Sequence, residues 1–236
     1  MGIKTAKKSK TKASDMLILA IFAFLSLRIQ PLFTYIIEMT PLIDNLPLND
    51  KIWTLILNLA CVGAWYGLGV WFMWLSRTEC DYDVMKKSKR PSNLRLGIAA
   101  AISGIFVSLM IIFAGGFSFP YKILNLLDVV YTVFYYFFIA VNAAMIVLVI
   151  TFGQKFGDLA FGGKTIPWGG IVLGAGLALT NLIMGFTYLD GGSPWEVVLS
   201  AAIVFAYALI YGAIYVVLEK KPIFAYPFVA FIFILL

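Results

Sequence analysis

The sequence predicts an all-α fold, a polytopic transmembrane helix bundle of about seven spans. Of the 236 residues, 62% are apolar and only 13% are charged, whereas soluble domains hold about 45–50% apolar and about 25% charged residues. The apolar residues also fall into runs of about 17–25 residues, which is the length that an α-helix needs to cross a bilayer. A soluble domain of this composition would expose large apolar patches and aggregate.

Seven apolar runs follow one another along the chain, with short loops between them. Residues 1–15 are predicted to form a basic tail, and residues 16–236 a single transmembrane helical domain. The last run holds only 15 residues, which is short for a full crossing. The predicted spans are Met16–Ile37, Ile52–Leu75, Leu96–Phe117, Val129–Thr151, Ile166–Tyr188, Trp195–Leu218 and Pro222–Leu236.

The basic residues are divided unevenly between the two sides of the predicted membrane. Fifteen of the 18 Lys and Arg residues fall in the N-terminal tail and in alternate loops, whereas the opposite loops contain only Lys51 and Lys122. Cytoplasmic loops are the ones enriched in Lys and Arg. We therefore expect a multi-pass protein with a cytoplasmic N-terminus, in the plasma membrane rather than in an organelle. Lysine runs that flank spans serve topology and contact with anionic lipid, so no nucleic-acid partner is expected.

Composition excludes several kinds of site. The chain has no histidine and only two cysteines, Cys61 and Cys80. It therefore lacks the residues for a His-ligated zinc or haem site, a four-thiolate metal site, or a Ser–His or Cys–His catalytic pair. It also contains no Walker-type phosphate-binding loop and no Gly-x-Ser-x-Gly elbow. We expect no metal and no cofactor.

Three polar residues within the predicted spans are candidates for intramembrane contacts. Arg28 lies deep in the first span, and an ionisable residue at such a depth is a hypothesis for function. It would pair with a buried acceptor or a partner helix; alternatively, the helix is shorter and Arg28 snorkels to the interface. Asn142 and Asn181 would either line a site or join helices by hydrogen bonds. Convergence of all three on one cavity would favour ligand binding.

Segments in the second half of the chain resemble a known family of membrane enzymes. They are residues 148–153 (Leu-Val-Ile-Thr-Phe-Gly), 166–170 (Ile-Pro-Trp-Gly-Gly), 176–182 (Gly-Leu-Ala-Leu-Thr-Asn-Leu) and the glycine-containing helix around Gly212. This part of the chain, from about Tyr131, is similar to the CAAX-prenyl-endopeptidase and bacteriocin-processing (CPBP) family of intramembrane glutamate proteases. The resemblance implies a CPBP-like bundle.

The resemblance also implies where the family's catalytic residues would lie, and each is replaced. The two motif glutamates fall on Leu148 and Val149, the motif arginine on Gly153 and the histidine on Asn181. An apolar side chain cannot take a proton from water, and asparagine is no base near neutral pH. The resemblance therefore implies a pseudo-protease with no catalytic residue, in which Leu148 and Asn181 face one another across an interior pocket.

Binding is the expected function. We expect a non-catalytic, CPBP-like integral membrane protein that acts as a binding, regulatory or assembly subunit of a membrane complex. Its partners would be the lipid bilayer, an integral membrane protein, and a lipid or hydrophobic peptide as ligand, with the Lys4–Lys12 tail held against the partner or against anionic lipid. Two alternatives remain open: a small substrate-binding subunit of a membrane transport system, and a lipid- or peptide-handling membrane enzyme with an unrecognised site.

Overall fold

The computed structural model describes residues 11–29, 50–86, 89–113, 126–163, 165–187 and 193–235. Over these residues the chain forms α-helices and no strand, so the predicted fold class is confirmed. The helices are α1 (Ala13–Ser26), α2 (Asp50–Thr78), α3 (Asn93–Phe113), α4 (Leu126–Ala160), α5 (Trp168–Thr187), α6 (Pro194–Val217) and α7 (Pro222–Leu235).

Five helices, α2 to α6, are long and apolar enough to cross a membrane. Helices α1 and α7 have 14 residues each, which makes them about 21 Å long against an apolar layer of about 30 Å. Large apolar side chains such as Trp71, Ile112 and Trp195 are exposed on the outside of the bundle. Such a surface would aggregate in water, whereas in a bilayer it contacts lipid. The chain is a multi-pass helical membrane protein.

Two helices differ from the predicted spans. Helix α4 has 35 residues and continues to Ala160, whereas the sequence predicted an end at Thr151. The apolar run predicted the span and not the end of the helix. The helix continues because Gln154 and Asp158 in the added turns have protein partners. Helix α1 ends at Ser26, and Leu27 and Arg28 form a turn. The remainder of the predicted first span, from residue 30 to residue 37, and the tail up to residue 10 lie outside the described residues.

Helix α4 is the central element of the bundle. It packs against α1, α2, α5, α6 and α7. Every residue from Met145 to Gln154 on this helix is buried. A helix that neighbours surround on all sides has to be apolar on all sides, which explains why this segment shows no polar face in the sequence.

Helices α5 and α6 approach each other through glycine. A Cβ atom on Gly170 would lie 2.6 Å from the carbonyl oxygen of Ala208 and 3.0 Å from the Cα of Gly212. Both of those atoms belong to the backbone of α6 and cannot rotate away. Small residues at such a crossing let helix backbones pack closely in the absence of a hydrophobic driving force between helices.

Loops and helix ends that carry basic residues meet at one end of the bundle, which we call the basic end. The Thr11 hydroxyl donates a hydrogen bond to the Cys80 carbonyl (2.6 Å). Lys220 contacts Asp158 at 2.5 Å, and Arg95 contacts Glu219 at 2.5 Å. These contacts join the start of α1, the loop after α2, the start of α3, the end of α4 and the turn between α6 and α7.

The α5–α6 crossing can be tested by adding a single methyl group. We expect Gly170→Ala to lower the free energy of unfolding by about 1–3 kcal/mol, because the added methyl overpacks a backbone contact. The matched control is Gly104→Ala in α3, where a Cβ would meet nothing within 4 Å; this change should be neutral or stabilise by about 0.5–1 kcal/mol. Thermal unfolding in detergent measures both, and equal melting temperatures would contradict the close crossing.

Candidate functional site

The residues at the degenerate family-motif positions of α4 face two different neighbours. A Cβ on Gly153 would lie 3.0 Å from the Cβ of Val172 and 3.3 Å from the Cα of Gly169, both on α5. Leu148 instead contacts α2, where its Cδ1 would lie 3.5 Å from a Cβ on Gly69. Val149 is fully buried. The segment that resembles the first protease motif therefore forms packing surfaces on both sides of the central helix.

The face of α4 that meets α5 consists of Ile150, Gly153 and Gly157. A Cβ on Gly169 would overlap the Ile150 carbonyl oxygen, and a Cβ on Gly157 would overlap the side chain of Trp168. Because a helix turns about 100° per residue, Leu148 lies about 200° around α4 from Ile150. The glycine contacts therefore fix the rotation of α4 so that Leu148 points away from α5.

On the side opposite α5, Leu148 lines a cavity of about 310 Å³, which we call the Leu148 groove. This volume lies at the lower end of the range of small-molecule pockets, about 300–1,000 Å³. Its walls come from α2, from the loop after α2, from α4 and from the start of α7. The lining residues are Met73, Val84, Met85, Ala144, Val147, Leu148, Pro222, Ile223 and Tyr226.

The Leu148 groove is apolar because its few polar groups are engaged elsewhere. The Tyr226 hydroxyl donates a hydrogen bond to the Ala140 carbonyl (3.2 Å), so its ring lines the groove. The Met73 carbonyl accepts a hydrogen bond from the Ser76 hydroxyl (2.9 Å). The arrangement offers a surface for an apolar chain, and its lining side chains include no carboxylate and no cation.

A buried polar cluster holds the end of α4 against the start of α5. Gln154 is 1% exposed; its amide nitrogen donates to Asp158 Oδ1 and to the Ile166 carbonyl, both at 2.9 Å. Its amide oxygen accepts from the backbone N–H of Gly169 (3.2 Å). A buried amide with its partners in place specifies one arrangement, so the cluster fixes where α4, the α4–α5 turn and α5 meet.

The turn between α6 and α7 is held by charges. Glu219 and Lys220 both have a φ of 59°, in the left-handed region that non-glycine residues rarely adopt. Lys220 is paired with Asp158, whereas Glu219 is paired with Arg95 and Lys221. Lys221 also donates to the Lys89 carbonyl (2.5 Å). These contacts hold a strained turn from which α7 starts directly into the groove wall at Pro222.

The loop after α2 supplies the opposite wall and is anchored through Tyr82. The Lys155 ammonium lies 5.4 Å from the centre of the Tyr82 ring, within the range of a cation–π contact. Burial raises the pKa of Tyr82 to about 12, so its ring stays neutral at physiological pH. Val84 and Met85, which follow in the loop, line the groove.

The intramembrane polar candidates do not line this groove. The Arg28 guanidinium lies 5.3 Å from the centre of the Phe24 ring, and its buried Nε has no hydrogen-bond partner among the described residues. Asn181 donates from its amide nitrogen to the Ser200 hydroxyl on α6 (3.2 Å), while Asn142 lies half-buried on α4. Arg28, Asn142 and Asn181 therefore do not line one shared cavity among the described residues.

The expectation that Leu148 and Asn181 face one another is wrong. Leu148 faces the groove between α2 and α7, whereas Asn181 is hydrogen-bonded to α6. The physical reason is the rotation of α4, because its glycine face, and not Leu148, packs on α5.

In the described part of the chain no three Cys, Asp or Glu side chains are grouped as metal ligands would be.

Sequence reasoning missed Gln154, Asp158 and Lys220. Gln154 and Asp158 are four residues apart and therefore share one face of a continuous helix. The predicted end of the span at Thr151 hid this spacing. Lys220 was counted only as a topology signal, because nothing in a sequence pairs a lysine with an acid 62 positions earlier.

The comparisons with known proteins identify no relative. No family model matches the chain, and neither a curated protein nor a solved structure shows significant similarity to it.

The ion pairs of the α6–α7 turn give a pH dependence that can be measured. The hydrogen bond from Lys221, reinforced by the charge of Arg95, lowers the pKa of Glu219 below its ordinary value. A lowered pKa stabilises the fold above the ordinary value, and this stabilisation is lost as the pH falls through the folded-state pKa. We expect the melting temperature to fall less between about pH 7 and about pH 3 in Glu219→Gln than in the wild type. The two curves should converge at the acid end; parallel curves would contradict the assignment.

Proposed function

We propose that this multi-pass membrane protein acts by binding and not by catalysis, as a subunit that holds an apolar chain for a membrane complex. The observation that supports this proposal most directly is the Leu148 groove. The position at which the resemblance to the CPBP proteases would place the water-activating glutamate is occupied by a leucine, and that leucine lines an apolar cavity at the side of the bundle. A cavity with this lining accommodates an apolar chain through van der Waals packing against its wall, which is the interaction that remains where lipid replaces water.

The degenerate-protease interpretation also forms part of the proposal. Leu148 and Val149 cannot accept a proton, and removal of a general base lowers the rate of such a reaction by roughly 10²–10⁴-fold. Common ancestry with the CPBP proteases is part of this proposal, and it rests on the resemblance of the sequence segments alone. The basic end is proposed to face the cytoplasm, since cytoplasmic loops are enriched in Lys and Arg.

A photoreactive apolar chain tests the binding function. We expect a diazirine-bearing hexadecanol, which carries no charge, to label the purified protein in peptides that contain Met73, Met85 or Tyr226. Ala144→Trp should abolish this labelling, because the indole fills the groove between α2 and α7. Mass spectrometry of the labelled peptides measures the effect.

The matched control for the filling variant is Ala101→Trp, which adds the same side chain at an exposed position of α3. Its labelling should equal that of the wild type. Equal labelling of the groove peptides in Ala144→Trp and Ala101→Trp would contradict the proposed function, provided that both variants elute as folded protein.

A cleavage assay tests the non-catalytic part of the proposal. We expect the purified protein to leave prenylated and hydrophobic peptides intact, at the level of a detergent blank. We expect the same of Leu148→Glu/Val149→Glu/Asn181→His, because Asn181 and Leu148 face different neighbours. Turnover by the unmodified protein would contradict the proposal, whatever the triple variant does.

A further inference from the structure

Residues with cationic side chains adjoin the lining of the Leu148 groove on the side of the basic end, which we call its mouth. Lys86 directly follows Met85, which lines the groove. The Lys89 carbonyl accepts the hydrogen bond from Lys221, and Lys221 directly precedes Pro222, another lining residue. Residues 84–86, residue 89 and the start of α7 therefore meet at the point where the groove reaches the basic end.

The cations at this mouth divide into two groups. Arg95, Lys220 and Lys221 are committed to Glu219 and Asp158. The side chains of Lys86, Lys89 and Arg90 are exposed and, within the described ranges, make no ion pair. The acid nearest to them in sequence, Asp83, already accepts a hydrogen bond from the backbone N–H of Met85 (3.0 Å). Among the described residues, the mouth therefore presents cations that are not held in an ion pair.

The groove runs inward from this charged mouth along the helices. Pro222 and Tyr226 are one turn apart on α7, as are Leu148 and Ala144 on α4, and each turn advances about 5.4 Å. Polar contacts fall at the membrane surface end and apolar lining falls towards the membrane interior. A molecule that matches this pattern has an anionic head and an apolar tail.

From this pattern we propose that the groove binds an acyl chain of an anionic phospholipid from the leaflet at the basic end, with the phosphate at Lys86 and Lys89. The proposal rests on the proposed function, since it names the ligand of the same groove. An anionic head next to uncompensated lysines is favourable at a membrane surface, and the acyl chain needs no hydrogen bond from the wall.

An extended peptide fits the groove less well. Its backbone N–H and C=O groups would enter a cavity whose lining Tyr226 hydroxyl is already bonded to Ala140. Unpaired backbone groups in an apolar medium are strongly unfavourable. An acyl chain has no such groups, so the chemistry of the wall favours a lipid over a peptide.

Lipid binding to the purified, delipidated protein in detergent tests the proposal. The probes are phosphatidylglycerol and phosphatidylcholine with identical acyl chains, and native mass spectrometry measures the affinity for each. We expect phosphatidylglycerol to bind more tightly. We expect Lys86→Gln and Lys89→Gln each to weaken it about fivefold, as follows from the contribution of one basic residue at a membrane surface. Phosphatidylcholine should be weakened less, because its choline cation offsets the charge of its phosphate.

Two further variants make the outcomes distinguishable. Lys51→Gln removes the same charge from the first turn of α2, at the far end of that helix, and should not change either affinity. Ala144→Trp should remove the bound lipid of either kind. If both lysine variants keep the preference for phosphatidylglycerol while Ala144→Trp still blocks both lipids, this inference is overturned and the proposed function stands. Unchanged lipid binding in Ala144→Trp, together with unchanged hexadecanol labelling, would overturn both.

Discussion

The rotation of α4 about its own axis is the constraint on which the rest of the structure depends. Gly153, Gly157 and the carbonyl of Ile150 lie so close to α5 that no larger side chain fits between the two helices. In a membrane, where helices are not driven together by water, such close packing supplies much of the association. Once that face is fixed, Leu148 and Ala144 have to point towards α2 and α7. The groove is thus a consequence of where the glycines lie.

Polar contacts then join the helix ends at the basic end. Gln154 joins α4 to the start of α5, and the pair formed by Asp158 and Lys220 ties α4 to the turn before α7. This turn keeps Glu219 and Lys220 in a left-handed conformation that is unfavourable for non-glycine residues. The arrangement persists because several ion pairs act on the same short segment. Packing determines the direction of the groove, and electrostatics determines the position of its mouth.

Much of the fold could be predicted from the sequence, because apolar run length and basic asymmetry are local properties of the chain. The apolar runs located α2 to α6, and the alternation of basic loops placed Arg95 and Lys220 on one side. The end of α4 could not be predicted in this way. It depends on partners for Gln154 and Asp158 that come from Ile166, Gly169 and Lys220, and such pairings appear only once the chain is folded.

The candidate site was predicted only in part. The family resemblance drew attention to Leu148, and Leu148 does line the groove. The expectation that Asn181 faces Leu148 was wrong. A resemblance between sequences gives the spacing of residues, but it does not give the rotation of the helix on which a residue lies. The groove walls from Met85 and Tyr226 were not predicted at all, because apolar residues in a membrane protein are too common to mark a site.

An anomalous difference map from crystals grown with a lipid brominated along its acyl chain tests the central claim most directly. The claim is that the Leu148 groove holds an apolar chain at the side of the bundle. Bromine peaks between Met73, Leu148 and Tyr226, absent from crystals of Ala144→Trp, are the expected result. A closed groove, or bromine spread evenly around the outer surface with no peak between α2 and α7, would contradict it.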